Sequence, residues 1–183
     1  MGFRVLNRPK SEGVLEFLRK PSEPPIWEIE VGTEIKRSEL HDIYGGGKYG
    51  GIEPSAQTPN ILIFTNPYKK SNLGYNFDEE LEDGTFLYTG DGQKGNQDPR
   101  NGGNKAILEH RKTRRSLRVF ESTKKQTTVR YLGEFELGSP AYESKRAPDL
   151  DKKERDVLVF NLSPVGKTKP IGKVDKEPSI GGV

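Results

Sequence analysis

Trp27, Ile29 and Val31 alternate with Glu28 and Glu30, a period of two that predicts a strand ending at Gly32. Asn60 to Thr65 is a compact apolar run, expected as a buried strand, and Thr85 to Thr89 is a second. Leu117 and Val119 open another strand. Val129, Tyr131, Phe135 and Leu137 then alternate across Gly133, which predicts one long strand with a bulge or bend at the glycine. Leu158, Phe160 and Leu162 share a face of a last strand within Arg155–Leu162. Helical spacing is scarcer. Short helices are expected near Ser11–Arg19 (stopped by Pro21, Pro24 and Pro25), at Arg37–Asp42, and from Asn104 to Lys112. Between these lie a glycine-rich bend from Tyr44 to Ile52 and a long, flexible polar loop over residues 90–103. From Gly166 onward Lys, Pro and Gly dominate, as in a tail or linker.

Six or seven strands with two or three short helices predict an α+β, mainly β, architecture: a small, partly closed β-barrel with flanking helices. Residues 1–30 are expected as an N-terminal extension on the barrel, 31–165 as the barrel domain and 166–183 as a flexible tail.

Composition narrows this further. Only 31% of the 183 residues are hydrophobic, so the core is modest, and 21 glycines with 13 prolines imply many turns. The absence of cysteine excludes disulfides and thiolate metal sites. No apolar run approaches a membrane span and residues 1–10 lack a signal-peptide core, so a soluble, cytoplasmic protein is expected. A net charge of +3 does not announce a polyanion partner, but its distribution does more. His110 to Arg118 holds Arg111, Lys112, Arg114, Arg115 and Arg118 with no acid among them, a candidate phosphate-contact patch or simply a solvated turn. Lys124, Lys125 and Arg130 follow closely.

Enzyme chemistry finds little support. Gly90-Asp91-Gly92-Gln93-Lys94-Gly95 matches a dinucleotide pattern, but turn residues follow where a helix must open. Only His41 and His110 are available, and the acids at 78–83 lack the spacing of a dedicated cation loop. No catalytic residue, metal or cofactor is expected.

A different constellation stands out. Gly74-Tyr75-Asn76-Phe77-Asp78, followed by Tyr88-Thr89-Gly90, offers two aromatic faces and one carboxylate. A base held outside a duplex needs π-surfaces on both sides and a polar group at its pairing edge. Either tyrosine alone would read as an ordinary barrel aromatic; together with Asp78 they read as a slot for one base.

These motifs resemble those of the SRA (SET- and RING-associated) domains, whose Gly-Tyr-x-x-Asp and Tyr-Thr-Gly segments are similar to Gly74–Asp78 and Tyr88–Gly90. Tyr49-Gly50-Gly51-Ile52 resembles the family's glycine-ended approach to a recognition loop, and Gly103-Asn104-Lys105-Ala106-Ile107 its helix start. Arg130 to Phe135 stands where the family carries Tyr-Asp-Gly. The resemblance covers roughly Val31 to Leu162 and is nearest to the specificity modules of bacterial modification-dependent restriction endonucleases, often joined to an HNH nuclease domain. It implies a non-catalytic module that flips 5-methylcytosine, or a related C5-modified cytosine, out of double-stranded DNA. Tyr75 and Tyr88 would stack on the base, Asp78 would accept from its amine, and Thr89 and Gly90 would line the pocket. Loops 53–59 and 96–103, with Ser55, Gln57, Asn96, Gln97, Arg100 and Asn101, would enter the grooves. The implied context is bacterial and DNA-associated, with an attached or partner nuclease and scope for a homodimer. A self-sufficient metal-dependent nuclease, using Asp78–Asp83, Asp91 and His110, and an RNA-binding PUA-like barrel are the rival readings.

Overall fold

A computed structural model describes residues 23–47, 49–68 and 77–171. Its elements are β1 (Glu34–Lys36), α1 (Arg37–Tyr44), β2 (Ile52–Pro54), β3 (Asn60–Thr65), β4 (Glu79–Glu80), β5 (Phe86–Thr89), α2 (Gly102–Leu108), β6 (Ser116–Ser122), β7 (Thr128–Pro148) and β8 (Glu154–Val165). One sheet runs β2-β3-β6-β7-β8-β5-β4, with β1 added to β7. The mainly β architecture with few helices is as expected from the sequence. The predicted helix at 11–19 lies outside the described residues.

β3 explains how so small an apolar content builds a core. Its odd residues Ile61 and Ile63 face an inner cluster with Leu117, Val119, Phe135 and Phe160. Its even residues Leu62 and Phe64 face an outer cluster with Leu40, Phe120 and Tyr131, under α1. A strand buried on both faces reads as the continuous apolar run seen here.

The alternation from Val129 to Leu137 hides a change of phase. Val119 pairs with Gly133 but the next residue, Phe120, pairs with Tyr131, so Leu132 is the extra residue of a β-bulge. Val129 and Tyr131 therefore face the outer cluster, while Leu132, Phe135 and Leu137 face the inner one. Gly133 sits at φ +143°, and a Cβ there would lie 2.8 Å from the Thr168 methyl. Only glycine fits that bend.

Four expectations are corrected. Residues 27–31 join no ladder; instead the Trp27 ring packs on Tyr44 and Tyr131, at 4.5 and 5.2 Å between centroids. The helix expected to reach Lys112 ends at Leu108, and a series of turns continues to Arg114, which adopts φ 55°. Loop 90–101 is anchored, not loose. The buried Arg155 guanidinium donates to Gly92 O and Gly95 O, and the Asn104 amide donates to Asp91 O and Asp98 O while accepting from Asp91 N. Finally, residues 167–171 stay on the sheet: Lys169 N donates to Leu132 O and Ile171 N to Glu80 Oε2. In loop 90–101 polar side chains do the anchoring, so polarity there does not mean exposure.

Candidate nucleic-acid interface

Nothing in the ladder pairs β5 with β3, which stand at well-separated places in the sheet. Side chains join them instead. The Tyr88 hydroxyl donates to Phe64 O at 3.0 Å. One residue further along each strand, the Asp78 carboxylate bridges the gap: Oδ2 accepts from the Thr65 hydroxyl at 2.7 Å and Oδ1 from Thr89 N at 2.8 Å. Thr89 Oγ1 in turn accepts from Phe77 N at 3.3 Å. The two strands are thus joined by an acid, a phenol and two threonines, of which Asp78, Tyr88 and Thr89 come from the motif region and Thr65 from β3.

Electrostatics follows from this packing. Burial pushes the Asp78 carboxyl above its usual range, against the opposing pull of the Thr89 and Thr65 donors. Burial also lifts the Tyr88 phenol well above its usual value, reinforced by the negative charges of Asp78 and Asp91. Tyr88 is therefore a neutral donor. A Cβ on Gly51 would lie 2.7 Å from the Tyr88 oxygen, so the glycine lets the chain entering β2 press against the phenol.

Asp91 stands beside this seam, and burial, followed by the charge of Glu53, raises it to about 6. An aspartate raised in the fold above its unfolded value near 3.9 favours the protonated state. Its contribution is complete below about pH 4 and is lost as pH rises through about 6. Asp91→Asn is accordingly expected to raise stability at pH 8 by about 1–2 kcal/mol after allowance for solvent screening, with little gain at pH 4. Urea unfolding of both proteins at the two pH values measures this; a gain that shrinks with rising pH refutes it.

The ladders decide which loops share this end of the sheet. β3 and β6 are parallel, with Asn60 opposite Ser116 and Thr65 opposite Glu121. Thr65 holds Asp78, so the Thr65–Glu121 end carries the candidate site. Five residue steps, roughly 17 Å at about 3.3 Å each, separate it from the Asn60–Ser116 end.

Several expected site residues sit at the end away from Asp78 or point inward. The run Arg111, Lys112, Arg114 and Arg115 precedes Ser116 and so flanks the far end. Arg111 bonds Leu137 O and pairs with Glu136. Arg118 is engaged internally: it donates to Asn60 Oδ1, Tyr131 Oη and Glu134 Oε2, and stacks over Trp27 at 4.6 Å. β2 pairs antiparallel with β3, Pro54 opposite Ile61, so loop 55–59 with Gln57 is also at the far end. Ser55 there is buried, its hydroxyl donating to Tyr44 O and accepting from Gln57 N and Thr58 N. His110 is structural as well, with its ring nitrogens at Arg115 O and Leu137 N. Among the described residues, no group of three or more His, Asp and Glu side chains is placed to hold a metal ion.

Loop 90–101 does belong to the near end, because Gly90 continues from Thr89 and its N–H donates to Leu158 O. Gln97 shapes this loop from within, its buried amide donating to Gly90 O and Gly92 O and accepting from Leu158 N. Asn96, Arg100 and Asn101 are exposed on it. Asn96 accepts from Asp156 N, and Arg100 pairs with Asp98 at 3.1 Å. The opposite arm is the glycine-rich bend before β2, on which Tyr49 is 96% exposed. Tyr49 belongs to the Tyr49-Gly50-Gly51-Ile52 segment whose resemblance to the family's approach to a recognition loop was visible in the sequence, although no role of its own was expected for it. Tyr75 lies outside the described residues.

Residues 31–172 match the family of ScoMcrA-like SRA domains. This chain belongs to that family. Its fold is similar to the ScoMcrA structure containing a sulfur binding domain and an SRA domain complexed with phosphorothioated DNA, at 24% identity and TM-score 0.56, over 75% of this chain and 40% of that one. It is similar also to AspBHI, a DNA modification-dependent restriction endonuclease, at 19% identity and TM-score 0.53, over 70% and 38% of the two chains. The SUVH5 SRA domain in its complex with fully methylated CG DNA matches at 18% identity and TM-score 0.57, over 82% of this chain and 98% of that one. The SRA domain described here therefore spans well under half of the ScoMcrA and AspBHI chains. No curated protein matches it. Among the described residues, no helix is long and apolar enough to cross a membrane.

Proposed function

We propose that this SRA domain binds duplex DNA carrying a C5-modified cytosine, with 5-methylcytosine as the leading candidate, and holds that base flipped out of the helix. The observation that carries the reading is the Asp78 carboxylate, fixed from both sides by Thr65 and Thr89 N where β3 and β5 are joined. An aspartate carboxylate is an acceptor, which suits the donating amine of cytosine and opposes the O4 acceptor of thymine. Tyr75 and Tyr88 would supply the stacking faces, with Thr89 and Gly90 beside the C5 substituent. Extrusion costs a few kcal/mol, and aromatic stacking can return roughly 1–3 kcal/mol per ring.

The neighbours support the context. One is a restriction endonuclease dependent on DNA modification, and another contains an SRA domain in a complex with phosphorothioated DNA. A role as the specificity part of a modification-dependent restriction endonuclease follows, with the cutting supplied by a separate nuclease domain or partner. A homodimer of the longer protein is compatible with that role.

A panel of duplexes identical except at one cytosine C5 tests the proposal. One methyl buried in the pocket is worth roughly 1 kcal/mol, so up to about tenfold tighter binding of the methylated duplex is expected. Equal affinities across cytosine, 5-methylcytosine and 5-hydroxymethylcytosine would refute it. Cleavage of methylated DNA by this chain with Mg²⁺ or Mn²⁺ would replace it with the nuclease reading.

A further inference from the structure

Two groups of basic residues compete for the role of gripping the DNA backbone, and topology separates them. Resting on the proposed base-flipping site, we infer that the turn joining β6 to β7, with Lys124 and Lys125 at its tip, is the phosphate clamp beside the flipped nucleotide. The longer run at 111–115 is not.

The ladder places this turn. β6 leaves the sheet just after Glu121, the partner of Thr65, and Thr65 holds Asp78. Tyr68, three residues beyond Thr65, lines one hollow of about 270 Å³ together with Ser122, Thr123, Lys124, Lys125 and Arg130. Among the described residues, Glu34 is the single acid on its wall. On its other flank the same turn reaches the glycine-rich arm: Gln126 and Thr127 share a second hollow with Tyr49, and Thr127 O accepts from Arg37 N. The turn thus lies between the segment leading toward Asp78 and the exposed Tyr49.

Its chemistry suits phosphate oxygens. Lys124 and Lys125 are exposed, and neither forms an ion pair among the described residues. Arg130 is different: it is tied to Glu121, which holds the base of the turn. Phosphates of one strand follow each other about every 3.4 Å of helix axis. The phosphates flanking an extruded nucleotide therefore stay close to the base pocket. The turn adjoins that pocket, whereas the 111–115 run begins roughly 17 Å away along β6.

Binding across a salt series tests the inference, using wild type, the Lys124→Ala/Lys125→Ala double variant and a Lys112→Ala/Arg114→Ala control, each with methylated and unmodified duplexes. All four side chains are exposed, so folding is not at stake. The turn variant is expected to weaken binding to both duplexes by the same factor, roughly 10- to 100-fold at 0.1 M salt. It should lower the slope of log affinity against log salt by about 2, while the control keeps the wild-type slope. A wild-type slope in the turn variant, or an equal loss in the control, overturns the inference. Failure of the base reading shows separately, as wild type without preference for the methylated duplex; the slopes on unmodified DNA still locate the clamp.

Discussion

Asp78→Asn is expected to abolish the preference for modified over unmodified duplexes while leaving weak, salt-sensitive DNA binding. The substitution keeps the shape of the side chain and can still accept from Thr89 N. It places an amide donor where the cytosine amine must be accepted, and removes the charge that strengthens that bond. A hydrogen bond to a charged group is worth roughly 1.5–3 kcal/mol, which corresponds to about 10- to 150-fold in affinity. Asp78→Ala should lose the same preference and also loosen the β3–β5 seam, since Thr65 and Thr89 N both lose their acceptor. Competition binding with methylated and plain duplexes, run beside thermal unfolding, distinguishes the two. An Asp78→Asn protein that still prefers the methylated duplex would remove the acid from the recognition role.

Tyr88 supplies the second large effect, and its burial changes how the experiment must be designed. The ring sits in the inner core, 6.0 Å from Phe86 between centroids, and its hydroxyl holds Phe64 O. Tyr88→Ala should therefore cost about 3–5 kcal/mol of stability, so a loss of binding would not by itself speak for stacking. Tyr88→Phe separates the roles. It keeps the aromatic face and strands a buried carbonyl, so a stability loss of about 1–3 kcal/mol is expected with the preference for methylated DNA retained. Urea denaturation and duplex binding on the same preparation measure both. A Tyr88→Phe protein of unchanged stability that no longer distinguishes methylated DNA would contradict this assignment.

The local elements were legible because their residues carry local reasons. Asn60 to Thr65 reads as a buried strand, and Gly133 as a bulge or bend, from residue type alone. The resemblance carried by Gly74–Asp78 and Tyr88–Gly90 pointed to the SRA family, which the match over residues 31–172 shows. What could not be read is which end of the sheet each loop occupies. The basic run at 111–115 and the loop at 55–59 looked suitable by composition. Only the parallel β3–β6 pairing and the antiparallel β2–β3 pairing place both away from Asp78. Buried polar side chains misled in the same way. Ser55, Gln97 and Arg118 have the composition of a surface, but their partners are backbone groups and side chains far off in sequence. A single chain gives no sign of such long-range satisfaction.

The seam closed by Asp78 and Tyr88 also limits how this domain can be retuned. The groups proposed to judge the base are the ones that rivet β3 to β5, so exchanging them for new selectivity weakens the frame that presents them. Engineering toward a different cytosine derivative is better directed at the flanking arms, where a change of shape leaves the rivet intact.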